Sequence, residues 1–331
     1  MNEAKGMKKI ISVKHKMIVF MTAVIILLGF IGIAALGPIA SGRIDRPVVF
    51  GATYMTMNNP YFTSLNGSIR DVVEAHGDVL LTRDPAQDAE RQNKEIHEMI
   101  EEGMTVLFAN AADSEKIAPA LQECKERGVA VFVVDTEVKD TKNVISTIQS
   151  DQFEAGRLVA IDMKKKRPEG ARVIVLYHET IASTVERLDG FMAEIGGDDR
   201  YKVVMKIGNT SEIEVANSEM NRLLKNFRKF DVVFGNNDPS ALGALAALDQ
   251  YRMGDDGILV YGVDGSPDAK KMIIEGKMAG TAAQYPIEMG KVAAETAYKY
   301  LNGEEVPESI RVRVSMMNSD NLDENNSRGW Q

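Results

Sequence analysis

The sequence predicts an α/β protein of two doubly wound parallel-sheet lobes joined by a hinge of several crossings, with an apolar helix ahead of them. Three observations predict it. β-Branched apolar runs alternate with segments of helical periodicity, as parallel α/β sheets require. About 285 residues remain after the apolar segment and its short linker, an unusual length for one sheet but ordinary for two. One stretch near the N-terminus, Met17 to Gly37, carries no charge over 21 residues.

That stretch is about the ~20 residues that cross a bilayer as a helix and longer than the ~7–15 of a signal-peptide core, so an uncleaved anchor is expected rather than a removed signal. Residues 1–16 carry five lysines against Glu3, a local +4 that belongs on the cytoplasmic side and places everything after Gly37 outside the membrane. A short linker, 38–46, follows. The formal charge of −9 leaves −13 on the remainder, and an acidic body argues against nucleic acid as a partner. No helix-turn-helix precedes the lobes. The single cysteine, Cys124, cannot form an internal disulfide, and no cysteine follows the apolar segment to carry a lipid.

In order, the expected strands are Val48 to Thr53, Val79 to Thr82, Val106 to Ala109, Ala130 to Val134, Val173 to Tyr177, Lys202 to Ile207, Val232 to Gly235, Ile258 to Gly262 and Gly280 to Ala283. Helices fill the gaps, giving Rossmann-like units of strand, loop and amphipathic helix such as GATYMTMNNPYFTSLNGSIRDVVEAHG. The first crossing between lobes falls near Ser150. The polar stretch NSDNLDENNSRGWQ reads as partly loose, and its lone Trp330 as incidental packing.

In doubly wound folds a ligand sits beyond the carboxyl ends of the strands, and in a two-lobed version in the cleft. Asn59, Tyr61 and Phe62 follow the first strand, Asn110 the third and Asp135 the fourth. In the second half Arg187 lies on the helix after the Val173 strand, Asn237 follows VVFGN, Asp264 follows LVYGV and Gln284 ends GTAAQ. Carboxylates accept from hydroxyls, Arg donates from a fixed fork, and Asn and Gln do both, while Tyr61 and Phe62 supply apolar faces for a ring. Taken singly, each has a structural reading as well. Asn59 before Pro60 is turn chemistry, Asp264-Gly265 a turn pair, Asp135 a helix cap, Arg187 a solvated charge, and the two rings core. Recurrence of polyol-compatible groups at successive strand ends favours a binding site.

At these residues the chain resembles the ribose-type periplasmic sugar-binding proteins, substrate-binding proteins of ABC transporters whose fold is shared with lactose-repressor-type regulators. The likeness runs from Val48 to about Asn321 through MNNPYF, DPAQDAERQNKEIHEMIEEG, VVDT, QSDQFEAGRLVA, ERLDGF, FGNNDPSALGALAAL, VYGVDGSPD and GTAAQYPIEMG. It implies one lobe from 47–150 and 285–312, and another from 151–284 and 313–331. Crossings are implied near Ser150, Gln284 and Arg311 to Arg313. It implies stacking by Tyr61 and Phe62 and hydroxyl binding by Asn59, Asp135, Arg187, Asn237, Asp264 and Gln284.

Three departures stand out. Thr136 replaces an Arg after the first-lobe aspartate, Val263 replaces an aromatic before Asp264, and the Thr210 to Ser211 region lacks a third ring. The pocket is thereby widened, so a different pentose, a hexose or a related polyol fits better than ribose. Asn110, Thr136, Ser150, His178 and Val263 are secondary candidates, His178 reading more as a surface loop residue.

The resemblance implies a receptor without enzymatic activity that closes two lobes on a monosaccharide. Its partner is then an ABC-type permease or, given an anchoring helix, a membrane histidine kinase. The enzymatic alternative pairs Asp135 with Asp264 for glycoside hydrolysis, against which Arg187 and nearby amides are expected to keep both carboxylates charged. The four histidines lack metal-ligand spacing, and no phosphate loop or nucleophile elbow is present, so neither metal nor cofactor is expected.

Overall fold

The computed structural model describes residues 47–208, 210–254, 256–323 and 328–331. The basic segment 1–16, the expected anchor Met17 to Gly37 and the linker 38–46 lie outside the described residues. Among those described, no helix is long and apolar enough to cross a membrane.

The chain first lays down β1 (Val49–Thr53), α1 (Pro60–Ala75), β2 (Val79–Arg83), α2 (Ala89–Glu101), β3 (Val106–Ala109), α3 (Ala118–Glu126), β4 (Ala130–Val134) and β5 (Ser146–Ser150). It then crosses and builds α4 (Gln152–Lys166), β6 (Ala171–Leu176), α5 (Ala182–Ile195), β7 (Tyr201–Ile207), α6 (Ile213–Leu224), β8 (Val232–Gly235), α7 (Asp238–Gln250), β9 (Leu259–Asp264), α8 (Pro267–Ile274) and β10 (Gly280–Ala283). α9 (Pro286–Leu301) returns to pack on α1. β11 (Ser309–Val312) joins the first sheet beside β5, and β12 (Ser315–Asn318) the second beside β10.

The two six-stranded sheets have the same order, β2-β1-β3-β4-β5-β11 and β7-β6-β8-β9-β10-β12. Their neighbours are parallel except for the antiparallel pair β10 and β12. Each sheet therefore reverses direction of growth beside its first strand, the switch point where such folds leave a crevice.

The central strands are buried on both faces, which is why they read as unbroken apolar runs. In the first lobe Phe50, Phe108 and Phe132 point under α1 and α9, Phe50 and Phe108 stacking at 6.0 Å. Leu107, Val131 and Val133 face the other way with Cys124 of α3. The second lobe repeats the scheme, with Val233 and Val260 towards α6 and α7 and Phe234 and Tyr261 towards α4 and α5. Burying each such side chain contributes roughly 1.5–3 kcal/mol.

Three strands were not expected. All five residues of β5, STIQS, are buried although four are polar, so apolar patterning misses it. β11 and β12 are four-residue edge strands of mixed polarity that form only because the chain recrosses the hinge. β9 runs on to Asp264, which ends the strand rather than following it.

One helix pair fixes the site directly. A Cβ at Gly156 of α4 would stand 1.8 Å from the Arg187 carbonyl oxygen of α5, and one at Gly190 of α5 would stand 1.9 Å from that of Phe153. Two glycines in mutual register thus let the helices touch backbone to backbone, which sets the depth at which Arg187 enters the cleft.

Candidate functional site

One helix start presents three of the first-lobe groups. Asn59 caps α1, its Oδ1 accepting from the Tyr61 amide at 3.0 Å with Pro60 in the first turn. The turn reading of Asn59 is thus realised, yet the residue also lines the cleft. Capping swings Tyr61 and Phe62 inward, where they meet edge to face at 5.4 Å. Both rings belong to the lobe core and to the cavity wall together. The rings are therefore held rigidly, as a stacking platform needs.

Asp135 follows β4 with a left-handed backbone, φ 68°, which turns its carboxylate towards the other lobe. Oδ2 accepts from Thr136 Oγ1 at 2.9 Å and from Asn110 Nδ2 at 3.3 Å. Oδ1 is buried and accepts no hydrogen bond of ordinary geometry, although the Tyr61 hydroxyl stands near enough to the carboxyl to oppose the effect of its burial.

Across the cleft Arg187 is 4% exposed. Its Nε donates to Gln152 Oε1 at 2.7 Å and its Nη1 to the Asn236 carbonyl at 2.6 Å, with Nη1 also 3.8 Å from Asp264 Oδ1. Asp264 Oδ1 accepts from Gln284 Nε2 at 2.8 Å, and Gln284 Oε1 accepts from Gln152 Nε2 at 3.1 Å. Gln152, Gln284, Asp264 and Arg187 thus form one buried polar ring spanning α4, α5 and the ends of β9 and β10. Asn237 caps α7, accepting from the Ser240 amide at 2.9 Å and donating to the Ser211 carbonyl at 2.9 Å.

These eight residues line a single cavity of about 170 Å³ between the lobes. That is below the ~300–1,000 Å³ of pockets for drug-sized ligands, and suits one small ring. Met55, Ile181 and Pro239 add apolar wall, and Gln87, Ser183, Thr184 and Glu212 add polar groups.

The five secondary candidates do not line the cavity. Asn110 is wholly buried and positions Asp135 while accepting from the Met55 amide at 3.1 Å. Thr136 Oγ1 donates to Asp135 and stands 3.2 Å from Ser183 Oγ of the other lobe. Ser150 is buried at the end of β5, and Val263 in the second-lobe core. His178 is half-buried, with its ring beside Thr180.

Electrostatically the site is short of cations. Asp135, Asp238 and Asp264 are all buried, with Arg187 the guanidinium beside them. Asp238 is held by the Thr281 hydroxyl at 2.7 Å and the Ser266 amide at 2.7 Å. Burial raises the carboxyls of Asp135 and Asp264 above the ordinary range, Arg187 opposing in both, and the charge of Asp238 raises Asp264 further. The expectation that Arg187 and nearby amides keep these carboxylates charged is therefore corrected, because desolvation outweighs the single cation.

Sequence reasoning missed Gln152, Asp238 and Gln87. The first two are polar residues at helix starts just past strand ends, the same signal that selected Asn237. Gln87 lies in the short loop between β2 and α2 and donates from Nε2 to Glu212 Oε1 at 2.5 Å, joining the lobes at the mouth. Trp330, read as incidental packing, lies edge to face on Tyr61 at 5.7 Å.

Residues 50–305 match the family described as periplasmic binding protein domain. The ribose import binding protein of Bacillus subtilis is 33% identical over 280 residues, covering 84% of this chain and 90% of that protein. The ribose import binding protein of Escherichia coli is 30% identical, covering 79% and 88%. An ABC transporter solute-binding protein of Mycobacterium smegmatis, solved with bound glycerol, superposes with a TM-score of 0.78 at 27% identity, covering 85% of this chain and 96% of that one. A Caulobacter protein solved with myo-inositol gives a TM-score of 0.78 at 24% identity, covering 83% and 94%, and so shares the fold. With two lobes of this topology enclosing a polar cleft, the chain belongs to the periplasmic binding protein family, the solute-binding proteins of ABC transporters.

Proposed function

We propose that the chain is a receptor outside the cytoplasmic membrane that closes its lobes on one neutral monosaccharide or cyclic polyol and presents it to an ABC-type importer. The buried Asp135 Oδ1 carries this reading, being a carboxylate oxygen that accepts no hydrogen bond of ordinary geometry, in a side chain that lines the cavity. A sugar hydroxyl donating to it would remove an unmet acceptor at the centre of the cleft. Arg187 offers a donor to the same ring, Asn59 and Asn237 its rim, and Tyr61 and Phe62 its face. Arg187 already has Gln152, the Asn236 carbonyl and Asp264 beside it, and the rest of the wall is amides, hydroxyls and buried carboxyls, so the cavity suits neutral hydroxyls better than sugar acids or sugar phosphates. Asp135 and Asp264 serve here as acceptors for hydroxyls, in keeping with a family of solute binders rather than enzymes.

Both ribose import relatives support delivery to an importer over signalling to a histidine kinase. Anchoring through Met17 to Gly37 belongs to the same proposal and rests on the apolar length of that segment. Calorimetric titration of the full chain in detergent with D-ribose, L-arabinose, D-allose, D-galactose and myo-inositol, with D-gluconate as the acid, tests the reading. At least one neutral compound binds with 1:1 stoichiometry and gluconate does not. Silence across the neutral panel would remove the proposal, and fractionation with the soluble proteins would remove the anchor.

A further inference from the structure

We propose that Arg328–Gln331 is a strap that ties the lobes together behind the cleft and positions Tyr61, Asp264 and Gln284, an inference that rests on reading the cleft as the sugar site.

On one side, Trp330 packs against the first-lobe core and sets its ring edge to face on Tyr61 at 5.7 Å and 78°. Tyr61 lines the cavity and Trp330 does not, so the indole backs the stacking ring without touching a ligand. On the other side, the Gly329 carbonyl accepts from Lys270 Nζ at 3.1 Å. Lys270, on α8 of the second lobe, is 1% exposed, and a buried ammonium needs such an acceptor. Gln331 then donates from Nε2 to the Asp264 carbonyl at 3.0 Å and to the Gln284 carbonyl. Those carbonyls belong to two residues of the cavity wall at the ends of β9 and β10.

The main chain beneath the strap is shaped to receive it. Asp264 has φ 134°, a conformation few side-chain-bearing residues adopt, and Gly265 follows at φ 73°. A Cβ at Gly265 would stand 2.5 Å from Gln331 Nε2, so glycine there leaves the space the amide occupies. Three consecutive residues thus grip a ring of one lobe and two strand ends of the other. Drawing the lobes apart must break one of these grips, so the strap favours the closed arrangement and fixes the spacing between the stacking face and the acceptor wall.

Trp330 is the only tryptophan in the chain, so its emission reports the strap directly. In the full chain in detergent, Trp330 emission is expected to be shielded from acrylamide and to shift on adding D-ribose or myo-inositol. Titration calorimetry of Trp330→Ala and Gln331→Ala should show Kd for the bound probe raised roughly three- to tenfold, the range of an aromatic pair or one hydrogen bond. Trp330→Phe should recover most of it.

Kd unchanged in both alanine variants would overturn the proposal. A lowered melting temperature with Kd intact would also overturn it, by reducing the strap to a packing element. Emission as quenchable as free tryptophan would show the strap unseated, a result that stands even if Trp330→Ala does not fold. If wild-type protein binds neither probe nor any other neutral member of the panel, the sugar reading falls, while quenching still decides whether the strap is seated.

Discussion

Arg187 Nη1 and Asp264 Oδ1 stand 3.8 Å apart, each side chain 4% exposed, with Asp135 and Asp238 buried near the same guanidinium. The pair is held by hydrogen bonds to Gln152, Gln284 and the Asn236 carbonyl rather than by direct contact. A buried charge held this way at the wall of a cavity is preorganised for a third partner.

Replacing Arg187 with Ala removes the cation that opposes the burial of Asp135 and Asp264. Sugar affinity should fall by roughly 1.5–3 kcal/mol, about ten- to a hundredfold, as measured by calorimetry. Arg187→Lys should rescue little, since one ammonium cannot reach Gln152, the Asn236 carbonyl and Asp264 together. Normal binding by folded Arg187→Ala would place the sugar elsewhere.

The Asp264 carboxyl is raised by burial from 3.8 to about 8. A group raised on folding contributes stability that is complete below its unfolded value and is lost as pH rises through its folded value. The ligand-free protein should therefore lose melting temperature between pH about 4 and about 8. Asp264→Asn should flatten that slope while weakening sugar binding. Parallel melting curves for the two proteins across this window would contradict the assignment.

At the mouth, Gln87 Nε2 bonds to Glu212 Oε1 from a backbone at φ 65°. Gln87→Gly keeps that backbone conformation and deletes the bond. Both groups meet solvent, so the effect should be modest, roughly two- to fivefold faster sugar release with association nearly unchanged, read by stopped-flow. A slower release would mean that the contact does not hold the lobes shut.

Gly156→Ala would drive a methyl into the Arg187 carbonyl at 1.8 Å. Since backbone faces backbone there, α5 must shift, and overpacking of this kind costs about 1–3 kcal/mol of stability. Denaturant unfolding should show that loss, and calorimetry a weaker sugar affinity through displaced Arg187. Stability equal to wild type would mean that the helices part without cost.

Much of the fold was legible because the central strands are buried on both faces and so read as plain apolar runs. The eight principal candidates were visible because each stands at or just past a strand end, or on the helix that follows one. β5 escaped because Ser146, Thr147, Gln149 and Ser150 are buried by the recrossing chain, which local pattern does not encode. Trp330 escaped for a related reason, since its neighbour Tyr61 lies far back in the sequence and only the tertiary fold brings the rings together. Charge was misjudged at Asp264 because counting neighbouring cations ignores the cost of leaving water.

Cys124, packed beneath the first sheet with its thiol pushed up to about 12, is the only sulfhydryl in the chain and is shut away from reagents. Nature has in effect left the exterior blank for maleimide chemistry. A dye pair introduced at one engineered thiol on each rim could follow single molecules opening and shutting, with the native residue left in place.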